Sequence, residues 1–311
     1  MNNVLVTGCS GFLASHLLKM LQQEGSSRIF GITEVPGFSY PGIEVRQVDL
    51  RRRDDVMHAL EDIRPDITFH LAAVTNVGFA WKNPYLTYEV NFFGSSNLLE
   101  AIVPVAPHSR LVMMSSAEVY RSDGKTPINE SSPTQSLNPY ALSKLVMEML
   151  GDLYWKTHGL NVCKLRAFNF TGPGQDLKFV ASDFASQIAA IEKGKREAVI
   201  RVGNLAAIRD FSDVRDIARY VLTIGQRGQG GDVYNLCSGR SYSIAGILDV
   251  LLSLAKEPIR VEVDPGKFRP LDNPQIHGDP ARIRSEFGLL PEIPMEKTLL
   301  DLLNYWREFP G

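Results

Sequence analysis

Along the first half of the chain, short runs rich in β-branched and aliphatic residues alternate with longer stretches whose apolar positions recur at helical spacing. The short runs are "NVLVTG", "RIFGIT", "IEVRQVDL", "ITFHLAA", "RLVMMSS" and "LNVCKLRAF"; the stretches between them include "DDVMHALEDI" and "TYEVNFFGSSNLLEAIV", each predicting one helix. Strands alternating with helices describe βαβ units, and so a doubly wound parallel sheet with helices on both faces. After about Asn169 the rhythm loosens. Helical segments "DFASQIAAIEKG", "DVRDIARYVLTI" and "YSIAGILDVLLSLA" mix with short strands "AVIRVG" and "IRVEVD". This predicts a smaller α/β lobe over residues 169–311, following a larger unit over residues 1–168, with segments near 210–240 returning to the first unit. No internal repeat, low-complexity tract or long linker interrupts the pattern.

The first strand runs into "TGCSGFLASHL", with glycines at Gly8 and Gly11 and Ala14 where the spacing calls for a third. In a strand–loop–helix turn the first glycine permits the tight turn, the second lets backbone approach a pyrophosphate, and the third lets helix pack on strand. Only the first two touch a ligand, and fingerprints of this type allow alanine at the packing position. The helix N-terminus still offers N–H groups and a positive dipole end to phosphate. Placed on the first strand of a βαβ series, the loop predicts a dinucleotide-binding unit of the Rossmann type.

Composition narrows the field. A chain of 311 residues with 44% hydrophobic residues buries a sizeable core, which excludes disordered and fibrous classes. Its formal net charge of −2 gives no broad basic surface, so nucleic acid is not an expected partner and anion recognition must be local. Arg51–Arg53, followed by Asp54 and Asp55, read as a solvated helix start. The three cysteines, Cys9, Cys163 and Cys237, are scattered without metal or redox spacing, so no metal is expected and a reducing cytoplasm fits. No apolar run approaches the roughly 18 residues that a membrane span needs, and no signal-like segment precedes the first strand.

A second constellation carries chemistry. In "SLNPYALSKLVMEML", Asn138–Pro139 signal a helix start, and Tyr140 and Lys144 fall four residues apart on one helix face. A cation there favours the phenolate, which is expected to bring the tyrosine pKa down from about 10 toward working pH. Upstream, "LVMMSSAEVY" sets Ser115, Ser116 and Glu118 at the carboxyl end of a strand, where open α/β sheets bind ligands. A hydroxyl there can hydrogen-bond the same substrate oxygen as the tyrosine. Tyrosine and lysine at this spacing alone also describe a surface helix pair; their combination with the strand-end serines and the glycine loop favours a catalytic site.

Together "TGCSGFLASHL", "HLAA" (His70–Ala73), "NFFGSSNLLEA", "SSAEVY" and "YALSK" resemble the extended short-chain dehydrogenase/reductases, the family that modifies nucleotide sugars, over essentially the whole chain. In the second half, "RAFNFTGPGQ", "VGNLAAIRDFSDVRDIA", "NLCSG" and "RPLDNPQIHGDPARI" resemble its branch acting on GDP-deoxyhexoses. The resemblance implies that residues 169–311 bind the nucleotide sugar. It implies reduction at C4 of GDP-4-keto-6-deoxy-D-mannose to GDP-D-rhamnose with NAD(H) or NADP(H). A GDP-6-deoxy-D-talose-forming reductase, a GDP-mannose 4,6-dehydratase and a non-enzymatic cofactor-binding regulator are the alternatives. By the same resemblance, Ser116, Tyr140, Lys144 and Glu118 are the catalytic candidates, with Tyr140 and Lys144 also at the cofactor and Lys144 binding the nicotinamide ribose. Gly8, Gly11, Phe12 and Leu13 form the pyrophosphate loop; Thr33, Asp49 and Leu50 lie at the adenosine; Leu71, Ala72 and Ala73 line the cofactor channel. Asn169, Arg209 and Arg269 hold the nucleotide-sugar diphosphate, and guanidinium groups suit phosphate oxygens. Val180 and Asn204 lie near the base. Arg209 also reads as a salt bridge to Asp210 or Asp213, and Asn169 as a turn cap. A homodimer through the helices containing Asn91 and Tyr140 is implied as well.

Two positions depart from the pattern. Thr33–Glu34 stand where NADP-using relatives carry a basic residue; a carboxylate repels a 2′-phosphate but accepts a ribose hydroxyl, which tilts the choice toward NAD(H) unless Glu34 faces solvent or the next loop supplies a cation. Glu118 falls where 4,6-dehydratases place an acid–base carboxylate. Against that reading, the loop is "TGCSGFLA" where such dehydratases read "TGxxGQDG".

Overall fold

The computed structural model describes residues 2–124, 127–267 and 275–309. Strand β1 (Asn2–Thr7) is apolar from Val4 to Val6, and these residues are buried on alternate faces: Val4 and Val6 join one core cluster, Leu5 the other. Two-sided burial places β1 inside the sheet. Around it lie β2 (Ser27–Thr33), β3 (Glu44–Gln47), β4 (Ile67–His70), β5 (Arg110–Ser116), β6 (Asn161–Ala167) and, from the second half, Val233–Leu236. The order across this seven-stranded sheet is Val233–Leu236, β6, β5, β4, β1, β2, β3, and every pairing is parallel. The chain winds outward in both directions from β1, so the sheet has its switch point between β1 and β4, where a crevice opens at the strands' carboxyl ends.

Helices cover both faces. Helix α1 (Phe12–Glu24) packs Leu17, Leu18 and Leu21 with Ile217 and Val221 of the helix Val214–Arg227. On the other face, α2 (Arg53–Ile63), α5 (Gly94–Val105) and α6 (Pro139–His158) bury Leu60, Leu98 and Met147 against Leu5 and Phe30. Before α5 come α3 (Val77–Lys82) and α4 (Pro84–Tyr88). The single helix predicted over "TYEVNFFGSSNLLEAIV" is interrupted by a π turn at Glu89–Phe93, within which Asn91 is buried. The strand predicted over "ITFHLAA" ends at His70, because Leu71–Ala73 turn beneath the glycine loop.

The second lobe centres on β9 (Ile208–Asp213), which pairs with β7 (Asn169–Thr171), Ser241–Ser243 and Gln275–Ile276; β8 (Val199–Val202) pairs with Arg260–Val263. Helix α7 (Val180–Glu192) and the helices Ile244–Ser253 and Met295–Glu308 close over these strands around Phe184, Ile188, Ile247 and Leu299. The lobe sits over the carboxyl ends of β5 and β6, and Phe168–Phe170 form part of the cleft wall.

Candidate active site

A cleft of about 420 Å3 opens at the switch point. Gly8 has φ +68, and a Cβ there would come within 2.7 Å of the backbone of Ala72. Only glycine combines that left-handed conformation with that approach. The Gly11 N–H donates to the Gly8 carbonyl at 2.9 Å, and α1 then starts at Phe12 with no side-chain cap. The first amides of α1 therefore face the cleft, in the arrangement that takes an anion. Ala14 is buried against the core and also lines the cleft behind the loop, adding a single methyl there. The residues present thus fit a dinucleotide, on the strength of a cradle that a Cβ at Gly8 would fill.

The opposite wall carries Ser116, Glu118, Tyr140 and Lys144. Asn138 caps α6 by accepting from the Ala141 N–H at 2.8 Å, and its amide donates to Glu118 Oε2 at 3.2 Å. Pro139 fixes the first helical residue, so Tyr140 enters the cleft at the helix start, hydrogen-bonded to Ser116. The Lys144 ammonium donates to the Met114 carbonyl at 2.8 Å. The expected lowering of Tyr140 is not what this arrangement produces. Burial pushes its phenol up to about 12, with the Glu118 charge adding to the rise and the Ser116 hydrogen bond only partly opposing it. Burial pulls Lys144 down to about 8, opposed by the charge of Glu148. Desolvation dominates both shifts, because both groups are buried where α6 meets the sheet.

Behind the wall, the buried Asn91 side chain accepts from the Val74 N–H at 2.7 Å and donates to the Val74 carbonyl and Ser143 Oγ at 3.0 and 2.9 Å. It ties the loop after β4 to α6. The signal for it was an amide inside an otherwise apolar helical run. His70 bridges Thr7 Oγ1 and Ser95 Oγ, and burial holds its ring neutral, with a pKa of about 3. Phe12 stacks on Phe170 of β7 at 5.9 Å between ring centroids, linking the glycine loop to the second lobe.

At the end nearest β2 and β3, Thr33 Oγ1 and Ser10 Oγ share a 2.7 Å hydrogen bond. Arg51 is exposed just before α2, as a solvated helix start should be, but it also lines the cleft, grips Asp49 through Nε at 2.9 Å and Nη2 at 2.6 Å, and reaches Glu34 at 3.9 Å. The Arg51 guanidinium holds the Asp49 carboxyl below its ordinary range.

The cleft thus brings together Gly8, Gly11, Phe12, Leu13, Thr33, Asp49, Leu50, Leu71, Ala72, Ala73, Ser116, Glu118, Tyr140, Lys144 and Asn169. Among the described residues, Val180, Asn204 and Arg209 are not part of its lining. Val180 begins α7 beside the cleft-lining Phe179; Asn204 is exposed and accepts from the Ala206 N–H at 3.0 Å; Arg209 is buried and donates to the Ile208 carbonyl at 2.8 Å. Arg269 lies outside the described residues. No cluster of metal-ligating side chains and no helix long and apolar enough to cross a membrane occurs among the described residues.

The family model described as GDP-mannose 4,6 dehydratase matches residues 5–302. A GDP-6-deoxy-D-mannose reductase of Pseudomonas aeruginosa is 32% identical over 306 residues, covering 98% of this chain and 97% of the relative. A GDP-6-deoxy-D-talose 4-dehydrogenase of Aggregatibacter actinomycetemcomitans is 29% identical, covering 92% of this chain and 91% of the relative. Among solved structures, that of RMD from Pseudomonas aeruginosa complexed with NADPH is similar at a TM-score of 0.87 and 31% identity, over 99% of each chain.

Proposed function

The chain belongs to the GDP-mannose 4,6 dehydratase family of the extended short-chain dehydrogenase/reductases, and from that premise we propose that it reduces the C4 keto group of GDP-4-keto-6-deoxy-D-mannose to GDP-D-rhamnose. The observation that carries the proposal is the meeting of Tyr140, Ser116 and Lys144 with the glycine loop around one cleft. When bound in the cleft, a reduced nicotinamide would supply the hydride for C4. The Tyr140 hydroxyl donates its proton to the carbonyl oxygen as charge develops there, and Ser116 steadies that oxygen with a second hydrogen bond. A phenol held at about 12 stays protonated across the working range, which suits the acid of a reduction. Lys144 supplies a cation near the phenolate that forms, and solvent returns the proton.

Gly8, Gly11, Phe12 and Leu13 would hold the pyrophosphate, with Leu71–Ala73 along the channel and Thr33, Asp49 and Leu50 at the adenosine. For the cofactor, two carboxylates, Glu34 and Asp49, outweigh the one guanidinium of Arg51, which favours NAD(H); Arg51 still offers a 2′-phosphate a partner, so NADP(H) is accepted less well. Asn169, Arg209 and Arg269 would hold the diphosphate of the sugar nucleotide, with Val180 and Asn204 toward the base. Exposed Tyr85, Phe93, Met149 and Leu153 on α4, the π turn and α6 support a homodimer through that face. Three free, buried cysteines support a reducing, cytoplasmic setting.

One observation favours a second reading as a 4,6-dehydratase: Glu118 reaches the cleft, with its carboxylate held by Asn138. Product analysis decides between them. A reductase leaves GDP-mannose untouched and converts the keto-sugar with one reduced cofactor per molecule, the C4 configuration distinguishing rhamnose from talose. Conversion of GDP-mannose without net cofactor oxidation, abolished by Glu118→Gln, would establish the dehydratase.

A further inference from the structure

The polar seam on the sheet-facing side of α6 continues beyond Lys144. Tyr140, Lys144, Glu148 and Asp152 follow one another at four-residue spacing on one face. Each meets its own partner on the sheet: Tyr140 meets Ser116, Lys144 the Met114 carbonyl, Glu148 meets Ser115 and Arg166, and Asp152 meets Lys164. Ser115 and Arg166 stand opposite each other in the β5–β6 register, so the Glu148 carboxylate bridges two strands as well as strand and helix. Its oxygens accept from Ser115 Oγ, from Arg166 Nε at 3.0 Å and from Arg166 Nη2 at 2.6 Å. Arg166 is itself seated on the Tyr120 ring at 4.6 Å, and the Tyr120 hydroxyl donates to Asn235 Oδ1 at 2.7 Å.

We propose that Glu148 is a positioning residue of the reaction: anchored by Ser115 and Arg166, its carboxylate keeps the buried Lys144 ammonium protonated one helical turn away and fixes the register that brings Tyr140 to Ser116. The inference rests on the reading of Tyr140 and Lys144 as catalytic residues. A buried ammonium loses hydration that one carbonyl does not replace, and a carboxylate at i+4 supplies the missing counter-charge. The charged and titratable groups facing this seam are few. Tyr140 and Asp152 share the helix face; Arg166 and Lys164 come from β6; Tyr120 and Glu118 follow β5; and His70 on β4 is neutral. Lys144 is held down near 8 by burial, and Glu148 is the group that opposes the fall. Without the Glu148 carboxylate, Lys144 and Arg166 would share the interior as two cations, with Asp152 already engaged by Lys164.

The test titrates Lys144 in the cofactor-free protein by NMR of ε-13C-labelled lysine, the resonance being assigned by its loss in Lys144→Met. Glu148→Gln is expected to lower the Lys144 midpoint by about one pH unit or more, and to move the alkaline limb of kcat down with it. Glu148→Asp keeps the charge on a shorter stem and should leave the midpoint near that of wild type even if kcat falls. An unmoved midpoint in Glu148→Gln, or an equal drop in Glu148→Asp, overturns the proposal, the second outcome pointing to packing alone. Should Glu148→Gln fail to fold, Arg166→Gln takes its place: removal of the rival cation should raise the midpoint, and an unchanged or lowered one overturns the proposal. The titration needs no substrate. A chain that titrates as described but reduces no keto-sugar would sink the proposed function and leave Glu148 in place, while active enzyme with an unshifted midpoint would do the reverse.

Discussion

At the catalytic end of the cleft, Tyr140, Lys144, Glu148 and Arg166 are all buried, whereas at the end nearest β2 and β3 the Glu34, Arg51 and Asp49 side chains are 65%, 37% and 28% exposed. The two ends use the same kinds of charge with different consequences. In the interior, desolvation moves a phenol up to about 12 and an ammonium down to about 8, so small rearrangements there alter protonation and hence chemistry. At the open end, water and salt screen each pair to about 0–1 kcal/mol, which can bias a choice between two cofactors without deciding whether the enzyme works. On the proposed reading, one end sets rate and the other sets cofactor preference.

The largest effect expected is at the catalytic end. Tyr140→Phe keeps the ring and removes the proton donor, so kcat should drop by about 10²–10⁴ while cofactor affinity, measured by fluorescence titration, persists. Near-normal turnover would remove Tyr140 from the mechanism. Between the two ends, Gly8→Ala drives a Cβ against the Ala72 backbone at a left-handed φ, so the loop must shift; cofactor Kd should rise at least about tenfold with the fold intact by circular dichroism. The pH profile separates interior from surface. Lys144 is protonated below about 8, so kcat should hold on the acid side and fall as pH rises through that value, with little dependence on salt. An alkaline limb that moved strongly with ionic strength would place the titrating group at the surface. The smallest effect belongs to the open end: Glu34→Arg should swing the NADH to NADPH ratio of kcat/KM toward NADPH by about tenfold, leaving kcat with the better cofactor nearly unchanged. A wild-type preference for NADPH would show that Arg51, not Glu34, governs this end.

What the sequence disclosed followed the strength of local signals. The parallel sheet was legible because βαβ alternation is a period change repeated many times, and the Gly8–Gly11 loop because only glycine combines the left-handed φ of Gly8 with its approach to the Ala72 backbone. Tyr140 and Lys144 were legible as a pair from helix spacing, but their protonation was not, because burial between α6 and β5 is a property of the packed sheet. The cleft-lining role of Arg51 was hidden for a related reason: a run of arginines before two aspartates shows a solvated helix start, and only the fold brings Glu34 and Asp49 around the first of them. The π turn at Glu89–Phe93 escaped because its residues have ordinary helical composition, and the wider turn follows from Asn91 reaching Val74 across the fold. The Glu148 network was hidden by a register, β5 against β6, that no local pattern encodes.

The most direct test of the central claim follows the hydride. With GDP-4-keto-6-deoxy-D-mannose and reduced cofactor carrying deuterium at the transferable position, the product should be a 6-deoxyhexose with one deuterium at C4 and one cofactor oxidised per molecule. Deuterium absent from C4, together with conversion of GDP-mannose in which hydrogen passes from C4 to C6 and no added cofactor is consumed, would contradict the reductase assignment and put the dehydratase in its place.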